Sequence, residues 1–390
     1  MDINKVKISN SIKYVGVNDY DIDLFEGQYI LEKGMAYNSY VILDEKTAVM
    51  DTVDKIAVSR WLENLDAVLE SREVDYLVVQ HLEPDHSAGI QALADKYPKM
   101  KLVMSVKAKA MLSQFCDVAI DRVMEVKEGD TLALGSHTLT FVTAPMVHWP
   151  EVIVSYESTE KVLFSADAFG KFGTVDADES WNCEARRYYF NIVGKYGAPV
   201  QTLLKKASAL EIKTICPLHG PVLTDTISEV LRLYDTWSKY EPEDKGVFIA
   251  YASIHGNTEE AALKMKEILE KKGCPRVAIA NLSRDDIAEC VEDGFRHSVL
   301  LCMASSYDGS VFAPMSDYLH HLASKAFQNR TVALVENYSW AASSARTMKA
   351  AFDNMKNIRL IDKVVSINTR VTDKTIGELE ELADLIMQSV

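Results

Sequence analysis

The segment VVQHLEPDHSAG, residues 78–89, places four side chains that can bind a metal within six consecutive positions. These side chains are those of His81, Glu83, Asp85 and His86. They follow directly on the apolar run Tyr76–Val79, which is typical of a buried strand. In an α/β sheet, functional side chains assemble where the strands end. The segment therefore predicts an α/β fold with a metal site at the edge of a sheet.

Three further predicted strands of the first half end in the same kinds of residue. They are residues 139–143, 161–165 and 214–216, followed by His148, Asp167 and His219. A lone loop histidine is more often structural or solvated, and an aspartate after a strand is often a helix cap. We therefore assign no function to His137, His297, His320 and His321. The seven residues at strand ends together indicate a cation, because burying so many unpaired polar groups is costly.

The types of ligand restrict the metal. Four histidines and three carboxylates without a thiolate exclude a soft-metal site. Seven ligands are too many for one tetrahedral ion and suit two ions bridged by a carboxylate. The six cysteines form no CxxC pair, which argues against a cysteine-ligated zinc site, a rubredoxin-like iron centre and a disulfide framework.

The sequence pattern changes at the polar, proline-containing stretch 238–245. Before it, mixed strands and helices predict an α/β domain whose strands lie between helical layers. After it, strands and helices alternate regularly, which indicates a doubly wound parallel sheet of five strands. The predicted strands of this sheet are residues 246–252, 277–281, 298–303, 331–336 and 364–367. We predict two domains, residues 1–243 and 244–390.

Three loops at the predicted edge of the second sheet are candidates for cofactor binding. The first precedes a helix, whose N–H groups and dipole attract phosphate, although such loops are also plain capped turns. The other two carry aromatic side chains, which also serve as packing residues. The predicted contacts are Ser253, Ile254, His255, Gly256, Asn257, Thr258, Ser305, Ser306, Tyr307, Asp308, Gly309, Asn337, Tyr338, Ser339 and Trp340.

The ligand spacing, with Asp85 before the second histidine, resembles the metallo-β-lactamase superfamily. Its hydrolases usually carry His-x-His-x-Asp-His and bind zinc, whereas this chain has Glu83 in place of the second histidine. A carboxylate there favours iron and is typical of the flavodiiron proteins. The three loops of the second half resemble those of a flavodoxin. Further stretches that carry the resemblance are Tyr37–Tyr40, Asp51–Val53, Pro145–Pro150, Arg186–Tyr189 and Cys216–Pro221.

This resemblance implies a fold, a reaction and cofactors. The fold would be an N-terminal metallo-β-lactamase-like αβ/βα sandwich followed by a flavodoxin-like five-stranded sheet. Two irons would reduce O₂ to water or NO to N₂O, with electrons delivered through FMN. One iron would be held by His81, Glu83 and His148. The other would be held by Asp85, His86 and His219, with Asp167 as the bridge.

The resemblance also implies partners. We expect a head-to-tail homodimer, or a tetramer, that places the FMN of one chain beside the irons of the other. An external electron donor, such as a rubredoxin or a rubredoxin reductase, is expected because no further iron-binding domain follows Val390. The formal net charge of −15 argues against a nucleic-acid partner. Without a signal peptide or a run of about 18 apolar residues, we expect a cytoplasmic protein with no membrane contact.

Two other functions remain open on the sequence. One is a zinc hydrolase of the metallo-β-lactamase superfamily with a flavodoxin-like regulatory domain, against which Glu83 argues. The other is an electron carrier whose metal site is only structural, although carboxylate-rich sites rarely serve structure alone. O₂ and NO both remain open as substrates, because preference between them depends on groups around the metal ligands.

Overall fold

The structure, a computed structural model, describes residues 6–390 and divides into two compact units. The first unit comprises the chain up to Tyr189 together with Ala198–Asp235. The second unit comprises Phe190–Gly197 and Thr236–Val390. The predicted linker falls where a helix ends at Ser238 and a strand begins at Asp244. The exact boundary at 243/244 stays a prediction.

The strands of the first unit form two large sheets and two small sheets of two strands each. They are β1 (Ile12–Tyr14), β2 (Val17–Asp19), β3 (Leu24–Phe25), β4 (Tyr29–Ile30), β5 (Met35–Tyr37), β6 (Tyr40–Leu43), β7 (Thr47–Met50), β8 (Tyr76–Val78), β9 (Lys101–Ser105), β10 (Val123–Val126), β11 (Thr131–Ala133), β12 (Thr138–Thr143), β13 (Ile153–Glu157), β14 (Val162–Phe164) and β15 (Thr214–Cys216). The first sheet has the order β1-β6-β7-β8-β9-β10 and the second β11-β12-β13-β14-β15, while β2 pairs with β5 and β3 with β4.

Seven α-helices precede the sheet of the second unit along the described chain. They are α1 (Val58–Leu69), α2 (Pro84–Ser87), α3 (Ile90–Lys96), α4 (Val106–Met111), α5 (Trp181–Tyr188), α6 (Gly197–Ala207) and α7 (Ile227–Ser238). A π-helical segment, Tyr189–Val193, follows α5 directly. Short 3₁₀ turns lie at Lys55–Ala57, Leu112–Gln114, Ile120–Arg122 and Gly194–Tyr196.

One apolar core joins the two large sheets of the first unit. Buried Met50 and Val78 of the first sheet belong to the same cluster as Phe141 and Phe164 of the second. The sheets therefore pack face to face as a sandwich. In the second sheet β12, β14 and β15 run parallel, because β13 is antiparallel to both β12 and β14. The predicted ligands thus come from the ends of strands in two facing sheets, since β8 belongs to the first sheet.

The second unit contains a parallel sheet with helices on both faces. Its strands are β16 (Asp244–Ala252), β17 (Val277–Asn281), β18 (His297–Tyr307), β19 (Ser310–Val311), β20 (Arg330–Tyr338) and β21 (Ile358–Asn368). Its helices are α8 (Asn257–Lys271), α9 (Ile287–Arg296), α10 (Ala313–Ser324), α11 (Ser344–Phe352) and α12 (Asp373–Met387). The sheet order β17-β16-β18-β20-β21 is that of flavodoxin-like folds, as predicted. The short β19 pairs antiparallel with the end of β18.

Alternating strand residues separate the helices of the second unit into two layers. Ile249 and Leu301 point into the core shared with α8 and α12. The neighbouring Phe248 points the other way and contacts Tyr318 of α10, with ring centroids 6.5 Å apart. Helix α11 packs beside α10 on that second face. Helices α8 and α11 therefore begin on opposite faces of the sheet. Among residues 6–390, no helix combines the length and the apolar character that crossing a membrane requires.

Candidate functional site

Asp167 lies at the centre of the predicted metal site. It follows β14, is buried, and directs its two carboxylate oxygens to different groups of ligands. Oδ2 lies 3.1 Å from Nε2 of His148 and 3.4 Å from Nε2 of His81. Oδ1 lies 3.1 Å from Nε2 of His86 and 3.9 Å from Nε2 of His219. One carboxylate thus contacts both groups, which is the geometry of a bridge between two ions.

The first group is completed by Glu83. Its Oε2 atom lies 3.2 Å from Nε2 of His81 and 3.0 Å from Nε2 of His148. One ligand atom from each of these three residues and from Asp167 lies within 4.8 Å of the others. The structure therefore brings together the four residues that were predicted around the first ion.

The second group contains Asp85, His86 and His219. Oδ2 of Asp85 lies 3.4 Å from Nε2 of His86 and 3.3 Å from Nε2 of His219. The two Nε2 atoms are 3.1 Å apart. Nδ1 of His219 donates to the carbonyl oxygen of Ala36 at 2.8 Å, so the Nε2 of a neutral His219 ring carries the free lone pair. Two histidines whose Nε2 atoms meet in this way are arranged to share a cation.

The residues present fit a pair of metal ions. All four carboxylate oxygens of Asp85 and Asp167 are buried without a hydrogen-bond partner in the described chain, although imidazole nitrogens lie 3.1–3.4 Å from three of these oxygens. Burying such charges without compensation is costly, and a cation supplies the compensation. Imidazole nitrogens and carboxylate oxygens without a thiolate suit iron, zinc or manganese.

Electrostatics in the cluster favour proton uptake in the absence of a cation. Burial alone would lower the pKa of His86, but the carboxylates of Asp85 and Asp167 raise it to about 9. Burial alone would likewise lower the pKa of His148, but the hydrogen bonds to Asp167 and Glu83 raise it to about 9. Because a metal needs the lone pairs that these protons occupy, binding it releases protons.

A carboxylate behind the first group orients one of its histidines. Oε1 of buried Glu151 accepts a hydrogen bond from Nδ1 of His81 at 2.9 Å and from the backbone N–H of Leu82 at 3.0 Å. This bond fixes the tautomer in which Nε2 of His81 faces the metal ligands. Glu151 was not among the predicted site residues.

The loop after β7 supports the ligand-bearing segment. Asp51 accepts hydrogen bonds from the backbone N–H of Gln80 at 2.7 Å and from its side-chain Nε2 at 2.8 Å. Burial raises the pKa of Asp51 to about 6, against these hydrogen bonds. Thr52 donates from Oγ1 to the carbonyl oxygen of His86 at 2.6 Å. These contacts hold both ends of the segment that carries four of the ligands.

The second unit has a pocket of about 530 Å³ at the carboxyl ends of β16, β18 and β20. Every residue predicted to contact a cofactor lines it, except Gly256. Gly256 has a φ of 89° and is the N-cap of α8, where its N–H donates to Oγ of Ser253 at 3.1 Å. Residues that line the pocket and were not predicted are Ala341, Ala342, Ser343, Arg346 and Thr369.

Hydroxyl groups tie the three loops of this pocket together. Oγ of Ser306 accepts from the backbone N–H groups of Ser343 at 2.9 Å and Ser344 at 3.1 Å. Thr258 and Ser305 face each other at 2.9 Å between their hydroxyl oxygens. The aromatic rings are more open, since Trp340 is 92% exposed. The serines thus give the second and third loops a fixed separation.

Comparisons with known proteins match both units. A family model described as ODP family beta lactamase matches residues 35–220, the part that holds all seven ligand-type residues. The solved rubredoxin oxygen:oxidoreductase of Desulfovibrio gigas is 26% identical, with a TM-score of 0.90 over 98% of this chain and 97% of that chain. The chain resembles the flavodiiron proteins over nearly its whole length. The flavodiiron protein of Giardia intestinalis, 23% identical, shares the fold with a TM-score of 0.92 over 98% of this chain and 96% of that one.

A second relative is similar to this chain over most of the chain's length. The anaerobic nitric oxide reductase flavorubredoxin of Aliivibrio fischeri is 29% identical over 348 residues, which are 86% of this chain and 70% of that protein. The predicted fold class, a metallo-β-lactamase-like sandwich followed by a flavodoxin-like sheet, is confirmed.

The residues that support the two groups of candidate ligands were harder to predict from the sequence than the candidate ligands themselves. Glu151 stands 70 positions from His81 in the sequence, so their hydrogen bond depends on the packing of the two large sheets against each other. Arg346 lies six positions after Trp340 in what looks like an ordinary helix. The stretch Pro145–Pro150 was a usable signal for Glu151, since the residue next to a ligand-bearing motif is a natural candidate to orient a ligand.

Proposed function

We propose that this protein reduces O₂ to water, NO to N₂O, or both, with electrons that pass through FMN from an external donor. The observation that carries the proposal is Asp167, whose two oxygens face two separate groups of three ligands. The similar protein of Desulfovibrio gigas is named an oxygen oxidoreductase and that of Aliivibrio fischeri a nitric oxide reductase.

The cofactors define what the protein environment must provide. Two irons held by the seven ligand residues would supply electrons to a diatomic gas, and FMN held in the pocket of the second unit would supply electrons to the irons. Reduction of O₂ consumes four electrons and four protons and yields two waters. Reduction of two NO consumes two electrons and two protons and yields N₂O and one water. Protons must therefore reach a site whose ligands are almost all buried.

We assign the ligands as the geometry groups them. Around one iron we place His81, Glu83 and His148, and around the other Asp85, His86 and His219. Asp167 contacts both groups and would hold the two ions at a fixed separation. The three carboxylates offset much of the positive charge of the ion pair, so that the buried site does not carry a large net charge.

The pocket of the second unit is the proposed FMN site. The loop Ser253–Thr258 and the N-terminus of α8 offer backbone N–H groups to the phosphate. Tyr307 and Trp340 offer aromatic surface to the isoalloxazine ring, and their exposures of 50% and 92% leave room for it. Asn337 and Ser306 supply polar atoms in the same pocket.

We further propose a cytoplasmic protein that assembles as a head-to-tail homodimer or a tetramer and accepts electrons from a rubredoxin or a rubredoxin reductase. The name of the Desulfovibrio gigas relative supports a donor of the rubredoxin type. The exposed Trp340 at the rim of the pocket supports assembly, because an isolated chain would leave a large apolar ring in water. Gas reduction that disappears on dilution to monomers agrees with the dimer, and a fully active monomer contradicts it.

Metal and flavin analysis of the same sample tests the proposed function. Protein purified without oxygen is assayed for iron, zinc and FMN, and then for consumption of O₂ and NO with a chemical electron donor. About two irons and one FMN per chain, with gas consumption, are expected. Two zincs with little flavin would instead favour the hydrolase, and bound iron without gas consumption would favour an electron carrier with a structural metal site.

The variant Glu83→His separates reductase from hydrolase. It installs the histidine that zinc hydrolases of this superfamily carry. We expect gas reduction to fall at least about tenfold, because a ligand to the redox-active ion changes its charge and softness. Hydrolysis of thioesters or phosphoesters that stays the same or improves in this variant would contradict the reductase assignment.

A further inference from the structure

Arg346 is a charged residue in the proposed flavin pocket and has no partner in the part of the chain that the structure describes. Its side chain is exposed and lines the pocket. It forms no hydrogen bond and no ion pair with any residue between 6 and 390. A pocket that leaves an arginine unpaired offers that charge to a bound ligand.

The position of Arg346 in its helix makes the missing partner more significant. It lies in the first turn of α11, where the helix dipole disfavours a cation. Backbone N–H groups of this first turn have acceptors outside the helix. The N–H of Ala345 donates to Oε2 of Glu336 at 3.0 Å, and the N–H of Ser344 donates to Oγ of Ser306 at 3.1 Å. Glu336 also accepts from Ser366 at 2.8 Å, so its carboxylate serves the backbone and the sheet. Arg346 therefore stabilises neither its helix nor an ion pair, and an anion in the pocket is the group that it fits.

An FMN in this pocket, as the proposed function requires, offers two anionic groups. One is the phosphate. The other is the ring after reduction, which takes up two electrons and one proton at N5 and is left with a negative charge near N1. The phosphate site is at the N-terminus of α8, which packs with α12 on one face of the sheet, whereas α11 packs with α10 on the opposite face. Arg346 and the phosphate loop therefore belong to helices on opposite faces of the sheet, although both line the pocket.

We propose that Arg346 provides positive charge to the reduced flavin ring and so raises the two-electron midpoint potential of bound FMN. Charge near N1 is a means by which proteins adjust flavin potentials. Asp308 lines the same pocket with a negative charge that acts in the opposite direction. The Arg346 guanidinium offsets it, which favours transfer of electrons into the flavin from the donor.

Redox titration of the FMN-loaded protein tests this inference. Arg346→Met removes the charge, Arg346→Lys keeps it, and Arg359→Met removes an exposed arginine at the opposite edge of the same sheet. Arg346→Met should weaken binding of reduced FMN about tenfold relative to oxidised FMN, which is a potential about 30 mV lower. Arg346→Lys and Arg359→Met should stay near the wild type. The shift should shrink at high ionic strength, because salt screens an exposed charge.

Different outcomes overturn different statements. Wild-type protein that binds no FMN overturns the proposed function and this inference with it. FMN bound normally, with the same potential in the wild type and in Arg346→Met, overturns the inference alone. Equal weakening of oxidised and reduced FMN in Arg346→Met, at unchanged potential, also overturns it, because that pattern assigns Arg346 to the phosphate.

Discussion

Glu151 shows how one buried side chain outside the ligand set can determine the behaviour of the metal site. Among the candidate ligands of the described chain, its carboxylate pairs with His81 alone. It accepts a hydrogen bond from Nδ1, the ring nitrogen that faces away from the site. An orienting carboxylate of this kind also makes the imidazole a stronger donor. The ligand atoms alone therefore do not determine affinity for the metal.

The substitution Glu151→Gln keeps the shape of the side chain and removes its charge. We expect about 10–100-fold weaker iron binding, because His81 loses the partner that fixes its tautomer. Competition with a chelator of known affinity measures this change. Glu157→Gln is the matched control, since Glu157 is buried on β13 but accepts from the backbone N–H groups of Thr159 and Glu160. Equal iron affinity in both variants would contradict the prediction.

His137 was assigned no function from the sequence, and the structure places it in an ion-pair cluster of its own. Its Nδ1 lies 2.7 Å from Oδ2 of Asp44 and its Nε2 lies 3.1 Å from Oε1 of Glu160. Burial opposes a rise in the pKa of His137, but the hydrogen bonds to Asp44 and Glu160 outweigh it, with Glu157 adding to the effect. Both ring nitrogens donate only when the ring is protonated.

This arrangement predicts a pH-dependent effect of His137→Gln on stability. A pKa raised in the folded state means that the protonated ring stabilises the fold fully below the unfolded pKa of about 6.5. That contribution is lost as the pH rises through the higher folded pKa. The melting temperature should therefore drop by about 2–4 °C more at pH 6 than at pH 9. Thermal unfolding at both values measures this, with exposed His320→Gln as the control. A pH-independent difference would contradict it.

The ligand motif was visible in the sequence because four ligands share one short segment, from His81 to His86. Their grouping into two sets was not derivable from spacing. His148 joins Glu83 and His219 joins Asp85 only because two sheets pack face to face. The resemblance to the family supplied the expected grouping, and the structure places the side chains in two groups, while their role as metal ligands stays a prediction.

Among the elements, regular alternation was predictable and short or irregular pieces were not. All five parallel strands of the second unit were predicted, although β21 begins at Ile358, six residues before its predicted start at 364. Two separate helices, α2 within the ligand motif and α3 after it, have Ala88 and Gly89 between them. A Cβ at Gly89 would lie 2.8 Å from the Trp61 ring, so the close approach of α1 decides the break. The periodicity of the local sequence cannot predict such a tertiary contact.

The serine-rich junction between β18 and α11 helps to maintain the shape of the pocket. Buried Ser344 does not line the pocket, but its Oγ donates to the carbonyl oxygen of Ala304 at 3.1 Å and lies 3.2 Å from Oγ of Ser306. Its contribution to cofactor binding would therefore be indirect. It holds the start of α11 against the end of β18.

Removing that hydroxyl should loosen the pocket. We expect Ser344→Ala to weaken FMN binding about fivefold, since one lost hydrogen bond is about 1 kcal/mol. Quenching of flavin fluorescence on binding to the apoprotein measures the dissociation constant. Ser316→Ala, at an exposed position of α10, provides the comparison and should bind FMN like the wild type. An FMN affinity of Ser344→Ala equal to that of the wild type would refute this prediction.

For the chain as a whole, the metal ions should add to folding stability as well as to chemistry. Without them the buried carboxylates of Asp85 and Asp167 rely on protonated histidines for compensation. A ligand present at 100 times its dissociation constant stabilises the folded state by about 2.7 kcal/mol. The ion pair therefore links metal supply to the amount of folded protein.

Chelation should lower the melting temperature of the metal-binding unit by several degrees while FMN stays bound. Adding Fe²⁺ back should restore both stability and gas reduction. Adding Zn²⁺ should restore stability alone, because zinc does not change its oxidation state. Calorimetry combined with flavin absorbance follows both units in one sample. An unchanged melting curve after complete metal removal would contradict the prediction.

The path of the chain between its two units bears on how such proteins arise by gene fusion. Phe190–Gly197 belongs to the second unit although the first unit supplies the residues on either side of it. Phe190 stacks on Phe295 with centroids 4.3 Å apart, and Tyr240 donates to the carbonyl oxygen of Gly194 at 2.9 Å. Recombination at a single joint after α7 would transfer the parallel sheet without these partners. The second unit therefore cannot be exchanged as one continuous segment of sequence. A recombined protein would need substitute contacts for Phe295 and Tyr240.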